Sequence, residues 1–257
     1  MVAECLRALY IARNRDMGAI GRAFEDAIEV AYRAVLKPGD HAVDLGSHWG
    51  RHTWPMVECV GPEGRVHAFE AINRLYVRTI LEGRRRGAEN VDFYNIAVAH
   101  EERRITFSEF RENEAYSGIV ARQDLADDVA AKRQDIELLA CRLDDILAND
   151  LPVRFVKADI EGGEFDAFRG ASRLIATQRP IIAFESGREK SAQLYGYSAD
   201  DFFGFFEALG YRIFDIGGEL MDREYWSKPN LTWSYYAVPE EDEAFPAQLP
   251  DFVAAIT

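Results

Sequence analysis

The sequence predicts an α/β fold in which a largely parallel sheet carries helices on both faces. Three observations predict it. Short apolar runs alternate with helix-length stretches between residues 41 and 98, giving β-α-β-α-β. The alternation resumes from residue 153 to residue 239. The first strand also runs straight into a glycine-punctuated turn, VDLGSHWGRHT (residues 43–53), the form a chain takes where a strand feeds a helix.

The elements follow in order. Phe24, Ile28, Ala31 and Val35 make one apolar helical face, and KPGD (37–40) stops that helix. HAVDL (41–45) is a buried strand, and a helix over about 51–60 ends at the turn GPEG. RVHAFE (65–70) is the second strand, residues 72–86 a helix, and VDFYNIAV (91–98) the third strand. RRITFSEF (103–110) alternates as a strand. Residues 111–135 are polar and charged, broken by Gly118, and read as a long loop covering a binding site. IELLACR is a strand, LDDILAND a short helix, VRFVKADI a strand, GGEFDAFRGASRLI one helix and PIIAFES a strand. SADDFFGFFEALG is a helix with Ser198 as N-cap and Gly210 as its stop, and YRIFDI and TWSYYAVP close the sheet. The chain reads as one domain over 1–257: a helical segment (1–36), a Rossmann-like core (37–240) and the insertion at 111–135.

Composition narrows the function. A net charge of −14 repels polyanions, so nucleic acid is not an expected partner; EGRRRG (82–87), the one dense basic cluster, reads as a solvated helix end. Glu4 and Arg7 interrupt any signal-peptide core, and no apolar run approaches the ~20 residues of a membrane span. Cys5, Cys59 and Cys141 are isolated, which suits a reducing compartment. The expectation is a cytoplasmic protein with no membrane contact.

The glycine turn is a ready ligand site, because unpaired N–H groups point out of a helix start. Gly46 permits the turn and Gly50 a close approach, but the middle glycine of the dinucleotide fingerprint is absent. Asp44 before the turn suits a positively charged ligand better than a phosphate. Glu70, at the tip of the second strand, is placed to accept both ribose hydroxyls of a nucleoside. A second acidic block, KADIEGGE, brings Lys157, Asp159, Glu161 and Glu164 to another strand end, and Glu185 ends the next strand. Glu164 reads equally as an acid favoured by a helix start. His48 sits in the glycine loop as a contact candidate; His52, four residues on, reads as structural, as do His41, His67 and His100.

The segments VDLGSHWGRHT, VHAFEAIN, NIAVAHEE, LDDIL, FVKADIEGGEFDAFRGA and RPIIAFE occur in an order that resembles the FkbM-type S-adenosylmethionine-dependent methyltransferases, over roughly residues 40–240. KADIEGGEFDAFRGA looks like that family's K-x-D-x-E-G-x-E block. In the family's D-x-G-A-N-x-G loop, Ser47 and His48 stand here at the A and N positions. The resemblance implies a class I methyltransferase fold, a three-layer sandwich on a seven-stranded sheet with one antiparallel strand. It implies S-adenosylmethionine as cofactor and, as acceptor, a small molecule: a hydroxyl of a sugar, glycosylated natural product or other secondary metabolite. It implies that Asp44, Gly46, Ser47, His48 and Gly50 shape the cofactor loop and that Glu70 takes the ribose. Ala71, Asn95, Ile96 and Ala97 lie by the adenine, and Asp159 by the methionine part.

Methyl transfer to a hydroxyl needs the acceptor proton removed. Asp159 and Glu185, at neighbouring strand ends, are the catalytic candidates, acting directly or through Mg²⁺ or another divalent cation, with His48 the next candidate base. A nucleotide-dependent oxidoreductase and a non-catalytic nucleoside-binding domain are the alternatives.

Overall fold

The computed structural model describes residues 2–110, 117–118, 133–229 and 232–256. In chain order the strands are β1 (His41–Leu45), β2 (Arg65–Phe69), β3 (Val91–Tyr94), β4 (Ala97–Val98), β5 (Arg103–Phe110), β6 (Arg133–Cys141), β7 (Val153–Ala158), β8 (Ile181–Glu185), β9 (Tyr211–Asp215) and β10 (Ser234–Pro239). The helices are α1 (Val2–Ala12), α2 (Met17–Val35), α3 (Thr53–Val60), α4 (Asn73–Arg86), α5 (Leu143–Ile146), α6 (Glu164–Arg169), α7 (Ser172–Gln178), α8 (Glu189–Tyr195), α9 (Ala199–Ala208), α10 (Arg223–Trp226) and α11 (Ala244–Ala254).

Seven strands form one sheet in the order β3-β2-β1-β7-β8-β10-β9. β10 runs antiparallel to both its neighbours, and the other pairings are parallel. This is the class I methyltransferase sheet that the resemblance implied. Strand order reverses between β1 and β7, and ligands of such sheets bind at the carboxyl ends on either side of that reversal.

Alternation along the strands makes the layers. Ile181 and Ala183 of β8 face the core built with α1, α2, α3 and α11, whereas Ile182 and Phe184 face the core built with α6, α7 and α9. The apolar stripe of α2 is buried at Ile20, Phe24, Ala27, Ile28 and Ala31, and the Asp16 side chain caps its start by accepting from Ala19 N. Ser198 caps α9 in a reciprocal box with Asp201, as the sequence predicts. The arginines of EGRRRG end α4, where Arg85 and Arg86 both bond Glu82.

Two readings change. VDFYNIAV is not one strand: Val91–Tyr94 is the edge of the main sheet, while Ala97–Val98 pairs with β6 in a separate sheet of order β4-β6-β5. The chain turns at Asn95, whose amide donates to the carbonyls of Glu70 and Ala71. GGEFDAFRGASRLI is two helices, because the Asp144 carboxylate captures Arg173 N and Leu174 N and so opens a new helix start there. α11 is an element beyond those expected from the sequence. Pro246 lies in its first turn, where a missing N–H costs nothing, while Phe245, Leu249 and Val253 bury their side chains against α1 and α2. The cover over 111–135 falls mostly outside the described residues. Among the described residues, no helix is long and apolar enough to cross a membrane.

Candidate active site

A cavity of about 330 Å³ opens at the carboxyl ends of β1, β2 and β7, within the ~300–1,000 Å³ usual for small-molecule sites. Of the residues singled out from sequence, Asp44, Gly46, Ser47, His48, His52, Glu70, Ala71, Ile96, Ala97, Lys157, Asp159 and Glu161 line it.

β1 delivers Asp44. Its Oδ2 accepts from Thr53 Oγ1 at 2.6 Å, which ties the strand to the start of α3. Its Oδ1 is buried and has no hydrogen-bond partner among the described residues, and the same holds for Ser47 Oγ. A buried polar oxygen left unpaired is costly, so two such atoms in one cavity mark where ligand groups belong.

The loop between β1 and α3 is held from three sides. Gly46 N and Ser47 N both donate to Phe69 O. Gly46 has φ +78°, and a Cβ there would meet the Asp159 carbonyl oxygen at 1.9 Å. Only glycine lets this loop close onto the end of β7. Gly50 does not line this cavity; it has φ +81°, and a Cβ there would strike the Trp54 indole at 2.2 Å. Asn95 likewise stays outside the cavity lining and acts as the strut described above.

Glu70 is 6% exposed. Its two oxygens accept from His48 N and Ile72 N, each at 2.8 Å, and each retains a lone pair. Burial, outweighing these two donors, raises its carboxyl to about 7. His48 lies in the loop at φ +50°, a conformation non-glycine residues hold at a cost of roughly 1–3 kcal/mol. Its Nε2 accepts from the Trp49 indole at 2.7 Å. An indole N–H only donates, so in this arrangement the nitrogen carries no proton and its lone pair is engaged.

The second half of the site is acidic. Lys157 is buried, with Nζ 3.3 Å from Asp159 Oδ2. Burial alone would lower its ammonium; the charges of Asp159, Asp44, Glu25 and Glu185 reverse that and raise it above the ordinary lysine value. One carboxylate oxygen from each of Glu25, Asp159 and Glu185 lies within 4.8 Å of the others. Glu185 does not line the cavity, but burial first and the Asp159 charge second raise its carboxyl well above the usual range. Glu164 resolves to a structural role: its Oε1 accepts from Ile160 N and Gly162 N, pinning the loop that ends β7. Glu25, on α2, was missed. An acid one residue from Phe24 on an amphipathic helix reads as part of the solvated face.

A family profile, the methyltransferase FkbM domain, matches residues 44–213, more than half of the chain. The chain belongs to the FkbM methyltransferase domain family. Solved structures align with this FkbM-domain chain at low identity. The methyltransferase FkbM from Methylobacillus flagellatus KT is 17% identical over 80% of this chain and 49% of that one, with a TM-score of 0.45. An S-adenosylmethionine-dependent O-methyltransferase from Thermotoga maritima is 13% identical over 83% and 64%, at 0.43. An rRNA methylase from Streptococcus thermophilus is 14% identical over 81% and 90%, at 0.42. The FkbM-domain chain thus spans about half the length of the first of these. No curated protein sequence matches it. The fold assignment rests on the sheet order and the family match.

The residues present fit S-adenosylmethionine, the family's cofactor. The unpartnered Asp44 Oδ1 suits the ammonium of its methionine part, and the spare lone pairs of Glu70 suit two ribose hydroxyls. Ile72, Ile96 and Phe107 supply an apolar slot for a flat base.

Proposed function

We propose that this protein transfers a methyl group from S-adenosylmethionine to a hydroxyl oxygen of a small molecule, a sugar or another glycosylated or secondary metabolite. The observation that carries the reading is the division of the site. An unpartnered Asp44 oxygen stands on one side, and beside the other stands a carboxylate with raised proton affinity, Glu185. When bound, the cofactor supplies an electrophilic methyl group. Asp44 and Glu70 would hold it, and Glu185 would receive the acceptor's proton as the oxygen loses it. The acidic surroundings favour a neutral acceptor over a polyanion such as nucleic acid. A divalent cation at Asp159 and Glu185 is not supported, because the Lys157 ammonium already sits among these carboxylates.

The reading is tested by calorimetry with S-adenosylhomocysteine, followed by transfer from methyl-labelled S-adenosylmethionine to polyhydroxy compounds. Asp44→Asn is expected to weaken homologue binding by ~1.5–3 kcal/mol, about 10- to 150-fold. Asparagine keeps an acceptor for Thr53 Oγ1 but removes a charge facing Lys157, so the melt of the ligand-free variant is recorded alongside to separate lost binding from lost stability. Unchanged affinity in the variant would refute the assignment.

Binding should also depend on pH. The folded-state value of Glu70, about 7, lies above the ordinary 4.5, so ionised Glu70 costs stability as pH rises through that window. Ribose hydroxyls donate to the ionised form and therefore favour it. Affinity for S-adenosylhomocysteine is expected to be roughly tenfold weaker at pH 6 than at pH 8. A flat profile would show that Glu70 does not bind as a carboxylate.

A further inference from the structure

The FkbM match begins at Asp44, yet part of the cavity wall comes from before it. Glu25 projects from α2 into the cavity that Asp44, Lys157 and Asp159 also line. It is held from behind. Its Oε2 lies 3.0 Å from His52 Nε2, and His52 Nδ1 lies 3.3 Å from the Tyr32 hydroxyl. His52 is 2% exposed and Tyr32 fully buried, so the ring has no freedom to leave Glu25. An ionised carboxylate only accepts, which places a proton on His52 Nε2 and makes His52 the donor. α2 is itself anchored through Phe24 and Ile28 in the core.

Glu25 and Glu185 lie within reach of one another but are driven apart in proton affinity. Burial alone would raise Glu25; the hydrogen bond from His52 and the charges of Lys157 and Arg51 outweigh it and hold the carboxyl at about 2. Glu185 moves the opposite way. Two carboxylates separated like this take different tasks. One that stays ionised is a poor base and a strong hydrogen-bond acceptor.

We propose that Glu25, fixed by His52 and Tyr32, is the acceptor-binding residue of this site. It selects a vicinal diol by accepting a hydrogen bond from the hydroxyl beside the one that is methylated. The inference rests on the methyltransfer reading and adds the acceptor class to it. The same geometry disfavours acceptors that carry an anionic group next to the reacting hydroxyl, because the ionised Glu25 faces that position.

The test uses the full chain with labelled S-adenosylmethionine and methyl hexopyranosides, each paired with its monodeoxy analogues and with the corresponding uronic acid. S-adenosylhomocysteine binding is measured alongside on every variant. In the wild type, removing the neighbouring hydroxyl should raise KM at least tenfold with kcat changed less than about threefold. In Glu25→Gln the KM of the parent sugar should rise to that of the deoxy compound, and deleting the hydroxyl should then have no further effect. His52→Ala should reproduce the KM rise, and His52→Gln, which keeps a donor, should restore part of it. Equal KM for diol and deoxy compounds in the wild type, a variant-free measurement, overturns the proposal. So does a Glu25→Gln enzyme that loses kcat with KM unchanged, which would make Glu25 the base. Intact S-adenosylhomocysteine binding with transfer to none of the hexosides, or preferential transfer to the uronic acids, overturns the diol class alone. Absent S-adenosylhomocysteine binding in the wild type overturns the methyltransfer reading as well.

Discussion

Lys157→Met should destabilise the protein by about 3–5 kcal/mol, the range for removing one partner from a buried charge group. At roughly 2–4 °C per kcal/mol for a chain of this size, melting falls by about 6–20 °C. The cause is local. Asp159, Asp44, Glu25 and Glu185 surround this ammonium, and methionine fills the space without the charge. The sign with pH follows. In the wild type the Lys157 value is raised, so its contribution is complete at any pH below the ordinary lysine range and does not vary between pH 5 and 8. In the variant the carboxylates are less easily ionised than in the unfolded chain, so the folded state binds more protons. The deficit is therefore largest above neutrality and shrinks toward pH 5. Thermal melts of both proteins at pH 5, 6.5 and 8 check this; a difference that does not vary with pH would mean the loss is one of packing.

Glu185→Gln is the second large effect, and it falls on turnover. If Glu185 accepts the acceptor proton, kcat should drop by ~10²–10⁴ while affinity for S-adenosylhomocysteine stays within about twofold. Stability should hold or rise slightly, because the ionised form of this buried group is disfavoured and glutamine removes the charge. Wild-type turnover should be unaffected by EDTA, since the cation among these acids is Lys157. Normal kcat in the variant would return the proton to another group. Loss of activity in EDTA with rescue by magnesium would restore the metal to the site.

What could be read in advance divides along physical lines. β1, β5 and the Ser198 cap were legible because their signals are local: an apolar run, an alternation, a hydroxyl three residues before an acid. Asp44, Glu70 and Asp159 were legible as strand-end acids, and all three line the cavity. Whatever depended on the path of a turn, or on a partner distant in sequence, was not. Gly50 reads as a ligand glycine until Trp54 is seen against it. That the Trp49 indole would donate to the His48 ring could not be read from their adjacency, because it depends on the left-handed turn at His48. Glu164 reads as an open question until its bonds to Ile160 and Gly162 close it. Glu25 lies 27 residues from the histidine that holds it, on a helix whose other acids, Asp26 and Glu29, pair with arginines. No local pattern distinguishes it from them.

The contact between Gly46 and the Asp159 carbonyl, reinforced by the bond from Asp159 N to Leu45 O at 3.0 Å, has an evolutionary consequence. The loop that would grip the methyl donor and the strand end that carries the acids are welded along one seam of backbone. The span a methyl group would cross is thus a main-chain dimension, and side-chain substitutions leave it alone. New acceptors can be accommodated by changing α2 or the β5–β6 hairpin, parts bolted onto that seam from outside.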